Sequence, residues 1–453
     1  MKWLAQLRAG FWIVTAIYVL ACSAALTCLR HASLHAYVVV FGVLMVIYGV
    51  AAWCLFKGKL HRPGAEGEAL VAILVVAAVL RGVAFFSPEV LSSDAYRYVW
   101  DGRVQAAHLN PYRYIPADPA LMPLRDTSIY PNINRADYAH TIYPPTAQLA
   151  FLAIERIGDG IPAMKLGMLV FDGISIACLV ALLRNRGMPA TRVLLYAWHP
   201  LPIWEFAGAG HLDAIAIALL LLAFLTFARR ASTWTGIALA AATLVKYYPV
   251  VAAPALYRRW DWRMPVAFVV TVALLYVPYL GVGVDVSGFL SGYVTEEGLR
   301  DGGGIWLLSL LKSLPGVPTD SVGLFVPVAA AVMFGLSLWV QFSRKDRKGG
   351  EVGGALLLAS SFTVLVSPHY PWYFTWLVPF LCFGLSPAHL WLTGSCALMY
   401  LWPDPTGVAT QSVKSVMYVP FLLLLLVQLH LKRRTRVPEA SDADRSARPA
   451  SIL

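Results

Sequence analysis

Residues 69–86 read ALVAILVVAAVLRGVAFF, and residues 92–114 read SSDAYRYVWDGRVQAAHLNPYRY. The first run is apolar and long enough to cross a bilayer as a helix. The second opens with two serines and Asp94, a signal for a helix N-terminus. Helical spacing then puts Asp94, Arg97 and Asp101 on one face. Asn110 and Pro111 end that helix. Each charge placed in lipid would cost about 2.5–3.5 kcal/mol, so the short helix must face water, a cavity or a ligand. Two readings are open at this point: a solvated, salt-bridged loop, or one wall of a site.

The whole chain fits a membrane setting. Of its 453 residues 58% are hydrophobic and 13% are charged, against about 25% charged in a soluble protein. The net charge of +11 comes from short basic runs between apolar segments. That is the pattern of cytoplasmic loops and not of a nucleic-acid surface. The six cysteines lie singly in apolar runs, with no CxxC pairing, and read as core residues. The first apolar run, 11–29, could imitate a signal peptide, but its length favours a retained span.

Placing every basic run inside orders the chain as an all-α polytopic membrane protein of about 14 helices. Spans at 11–29, 35–56 and 67–86 leave a large outer loop at 87–160, expected to carry the chemistry. Tyr143-Pro144-Pro145 begins an apolar helix too short to cross, expected to lie in the interface plane. Spans at 162–183, 191–207 and 211–228 follow. The block 234–257 has basic residues on both sides, so it must enter and leave by the same face. It divides into two short membrane helices with Lys246-Tyr247-Tyr248-Pro249 at the bend. A break at that depth is tolerated only beside protein or a water-filled cavity, which makes Lys246 a functional candidate. A second outer loop is expected at 283–318 and a disordered cytoplasmic tail at 432–453. Residues 1–431 thus form a single membrane domain, with no visible repeat or soluble domain.

Under this order the polar residues at helix exits or at membrane depth collect on the outer side: Asp94, Arg97, Asp101, Arg103, Glu205, His211, Asp213, Lys246 and His369. Carboxylates can serve as a general base, and cations can hold an anionic leaving group. Tyr143, Tyr370 and Trp372 offer flat faces to sugar C–H groups. Each also has a plain structural role to play: Asp213 as a helix cap, the aromatics as an interfacial belt, and Asp101 as the salt-bridge partner of Arg97.

The ordered motifs Ser93-Asp94-Ala95-Tyr96-Arg97-Tyr98, Tyr143-Pro144-Pro145, Gly210-His211-Leu212-Asp213, Lys246-Tyr247-Tyr248-Pro249 and Pro368-His369-Tyr370-Pro371-Trp372-Tyr373 resemble the glycosyltransferase C superfamily. The nearest likeness is to bacterial polyprenol-phosphate-mannose-dependent mannosyltransferases. That resemblance implies an inverting hexosyl transfer, mannose favoured, from a polyprenyl-phosphate sugar donor to a glycan or lipid acceptor. It implies an active site on the outer face of the bacterial inner membrane. It makes Asp94 the general base, with Asp101 as a second acid, and assigns Arg97, Arg103, Tyr143, Glu205, His211, Asp213, Lys246, His369, Tyr370 and Trp372 to substrate binding. No DxD stands at the acidic motif, so a divalent metal is possible but not required. A transporter or flippase of lipid-linked sugars and an O-antigen ligase or polymerase-like enzyme are the competing classes.

Overall fold

A computed structural model describes residues 7–315, 321–343, 350–401 and 408–434. Among them there is no strand, and Leu7 and His61 form a lone antiparallel bridge. The eight helices that build the site are α1 Ala9–Arg30, α2 Leu34–Phe56, α3 Glu66–Phe85, α4 Asp94–Ala106, α5 Pro145–Glu155, α6 Ile161–Asn185, α7 Asp213–Ala228 and α8 Ser232–Thr243. Seven helical stretches are long and apolar enough to cross a membrane: α1, α2, α3, α6, Arg263–Gly283, Val322–Phe342 and Gln411–Leu431. α7 and Gly350–Val366 are apolar but shorter. The expected count was about 14, and the difference lies in segments that are broken rather than continuous. Of the second outer loop the described part ends at residue 315. Arg344, Lys345, Arg347, Lys348 and most of the 432–453 tail lie outside the described residues, while residues 432–434 still belong to the helix Val408–Arg434.

The expected span 191–207 needs correction. It is a chain of short pieces: Ala190–Val193, Leu194–Ala197, Pro200–Pro202 and a π-turn at Ile203–Gly208. Pro200 and Pro202 cannot donate to a helical ladder, so carbonyls are freed in an apolar interior. Neighbouring helices satisfy them. Tyr18 of α1 donates to the Trp198 carbonyl, and Tyr48 of α2 donates to Leu195 at 2.8 Å. Arg81 of α3 reaches the Ala197 carbonyl at 2.6 Å and is ion-paired with buried Asp172 of α6. The one charge in the 69–86 run therefore has a structural partner and a structural task.

The break expected in 234–257 falls at Lys246. α8 ends at Thr243, and Tyr248–Ala252 resumes as a 3-10 turn. The Leu244 carbonyl left over by α8 accepts from the Thr146 and Ala147 N–H groups at 3.0 and 3.3 Å. Those are first-turn donors of α5, which also lack partners within their own helix. Pro145 fits that first turn because it has no N–H to leave unpaired. Two incomplete helix ends thus complete each other, and the contact fixes the outer loop against the bend.

Within the 87–160 loop, α4 lies on α5. Gly102 makes this possible, since a Cβ there would sit 2.9 Å from the Phe151 carbonyl oxygen. Asp126 knots the rest of the loop, accepting from the Ile129 and Tyr130 N–H groups at 2.7 and 3.1 Å and from Arg103 at 2.7 Å. Burial works against its charge, but these hydrogen bonds outweigh it and hold the carboxyl well below the usual carboxylate range.

Candidate active site

A cavity of about 560 Å³ lies where α4, the Lys246 bend and the 367–373 turn meet. Six of the expected site residues line it: Asp94, Tyr143, Lys246, His369, Tyr370 and Trp372. Asp94 is the first residue of α4 and is part-buried. The Asn134 amide donates to its Oδ1 at 3.1 Å. The oxygen of Asn134 would repel the carboxylate, which fixes the amide's orientation.

Lys246 stands opposite with its Nζ 2.8 Å from Asp213 Oδ2 and 4.2 Å from the centre of the Tyr373 ring. Asp213 opens α7, is fully buried, and also accepts from the Tyr248 hydroxyl at 3.3 Å. The cation is thus held by its own carboxylate while its head still faces the cavity. One wall is a stack of rings. Tyr370 lies flat on Trp372 at 4.5 Å, and His211 lies flat on the other side of Trp372 at 4.1 Å. Glu205 backs His211 at 2.9 Å and accepts from the Tyr400 hydroxyl at 2.7 Å. Glu205 and His211 are fully buried and stiffen this wall from behind; they do not line the cavity.

Three expected residues lie elsewhere. Arg97 and Asp101 form a buried pair at 2.9 Å. Asp101 also accepts from Thr141 and from Gln148 at 2.9 Å. With both oxygens taken, Asp101 ties α4 to α5 and is not open to a substrate. Arg97 spends a further N–H on the Ala139 carbonyl at 3.2 Å. Arg103 sits between Asp126 and Asp159, at 2.7 Å from each, away from the cavity.

The cavity also contains groups that the sequence reading passed over. Arg135 lines it beside Asn134 and pairs with Glu296 at 2.5 Å. Glu297, expected to be solvated, is buried: it meets His369 Nδ1 at 2.6 Å and the Tyr370 hydroxyl at 3.3 Å. Lys414, a lone cation in an apolar helix, donates to the Gly304 and Ser367 carbonyls at 2.7 and 2.8 Å. His369 Nε2 meets the same Gly304 carbonyl at 2.8 Å. The glycine run 302–304 is therefore clamped against the site and not loose. A Cβ on Gly304 would lie 2.1 Å from the Glu297 carbonyl oxygen and 2.6 Å from the His369 ring. Lys414 was visible as a charge inside an apolar run. Asn134 and Arg135 lie in an irregular loop without periodicity and gave no signal. Among the described residues, no three His, Cys, Asp or Glu side chains converge as metal ligands.

Within the chain, residues 4–261 match the family model of the alpha-(1->6)-mannopyranosyltransferase N-terminal domain, more than half of the length. No curated protein matches the chain. The matched part holds Asp94, Asn134, Arg135, Tyr143, Asp213 and Lys246; the ring stack of Tyr370 and Trp372 lies beyond it.

Proposed function

We propose that this chain, which belongs to the alpha-(1->6)-mannopyranosyltransferase family, transfers mannose from a polyprenyl-phosphate donor with inversion, on the outer face of the membrane. The observation that carries the reading is one cavity holding a carboxylate, two cations and stacked rings: Asp94, Lys246, Arg135, Tyr370 and Trp372. Asp94 takes the proton of the acceptor hydroxyl, whose oxygen bonds to the anomeric carbon. The bond from that carbon to the phosphate oxygen breaks, and its electron pair stays on the phosphate. The leaving polyprenyl phosphate gains one negative charge, which Lys246 and Arg135 face. Inversion to an α-linked product requires a β-configured donor. The ring stack suits the C–H face of mannose. The apolar flank formed by Leu34, Val90, Phe362 and Val366 suits the isoprenoid chain.

Two measurements test this. Purified protein given radiolabelled polyprenyl-phosphate β-mannose and an alkyl α-mannoside is expected to form a labelled disaccharide glycoside. Label that crosses a vesicle membrane without joining the acceptor would instead point to a transporter. For sidedness, a reporter active only outside the cytoplasm is expected to work when fused at Pro131 and to be silent at Arg259. Activity at Arg259 would undo the same-side return of 234–257 that the basic runs require.

A further inference from the structure

Asp94 is held at one oxygen only. Its Oδ1 accepts from the Asn134 amide at 3.1 Å, and no other hydrogen bond reaches the carboxylate among the described residues. Its backbone N–H is tied separately, to Ser92 Oγ at 3.1 Å. Asn134 comes from a distant part of the same outer loop, just after the turn Tyr130–Asn132, and lines the cavity beside Asp94. We propose that Asn134 is the positioning residue for Asp94: its amide fixes the carboxylate's rotamer through one oxygen and leaves the other to take the acceptor's proton.

This rests on the reading of Asp94 as general base. A carboxylate at a helix start has freedom about both side-chain torsions, and a small misplacement of a reacting group is expensive in rate. An amide donor is suited to the task because it holds the charged form without being able to take the proton itself. Lysine or arginine would hold more tightly but would weaken the base. The other groups that feel the Asp94 charge are phenols: Tyr98 and Tyr143 from its own loop, Tyr370 and Tyr373 from across the cavity. Burial raises all four above the ordinary tyrosine value, so they stay protonated at neutral pH. The charged groups sharing the cavity are Arg135, Lys246, Glu297 and His369, none of which hydrogen-bonds Asp94.

The test uses the full chain, radiolabelled polyprenyl-phosphate β-mannose and an alkyl α-mannoside. Asn134→Ala is expected to lower kcat by about ten- to a hundredfold with the donor KM unchanged. In an Asp94→Asn background the same change is expected to cost nothing further, because the residue acts only through Asp94. Asn134→Asp keeps the shape and so guards against a misfolded alanine variant. It sets a second carboxylate beside the first, and the acid limb of the kcat profile should move to higher pH. An equal loss in both backgrounds, or an Asn134→Asp enzyme whose acid limb has not moved, overturns the inference. If Asp94→Asn itself transfers at the wild-type rate, the general-base reading falls first, whatever Asn134 does.

Discussion

Asp94→Asn is expected to cut mannosyl transfer by about 10²–10⁴-fold, the usual worth of a positioned base. The change keeps the shape of the side chain and removes its charge. Donor affinity should hardly move, because Lys246 and Arg135, which face the phosphate, are untouched. Asp101→Asn makes the contrast. Asp101 is buried against Arg97, Thr141 and Gln148, so its loss leaves Arg97 without its anion and weakens the loop. That variant should yield less folded protein but near-normal transfer per folded molecule. Single-turnover rates with bound donor separate the two effects. A rapid Asp94→Asn enzyme beside a folded, inactive Asp101→Asn enzyme would mean that the base lies at the other end of the α4 charge ladder.

The fold was legible where one physical rule acts alone. Length and apolarity marked α1, α2, α3 and α6 close to their observed bounds. Charge bias combined with Pro249 located the bend at Lys246. The 191–207 segment was misread because its apolar character survives the break. Pro200 and Pro202 were in view, but the donors that make such a break tolerable, Tyr18, Tyr48 and Arg81, come from three other helices. The same limit applied to the site. Asp94 and Lys246 stand at element ends, where a charge beside an apolar run is conspicuous. Arg97, Asp101 and Arg103 look alike along the helix, and only tertiary partners divide them from Asp94. Asn134 and Arg135 enter the cavity through an irregular loop whose course no periodicity announces.

Lys246→Ala is expected to lower kcat/KM for the donor by about 10²–10³-fold, the effect of removing one aimed donor from a developing oxyanion. The single variant has a complication that its surroundings predict. Lys246 is the cation for Asp213, which is fully buried. Removing it strands a charge in a low-dielectric interior, and breaking a buried pair in this way costs about 3–5 kcal/mol of stability. A poorly folded Lys246→Ala preparation would therefore say little about the phosphate. The informative variant is Lys246→Met with Asp213→Asn. It removes both charges, keeps the methylene stem over Tyr373, and leaves an amide to pair with the Tyr248 hydroxyl. Its folded yield should return towards wild type while its kcat/KM stays low. Lys246→Arg should recover part of the rate, because it keeps the charge but replaces a point donor by a planar fork. A double variant that folds and transfers at the wild-type rate would make Lys246 a structural partner of Asp213. The charge on the leaving phosphate would then fall to Arg135 alone.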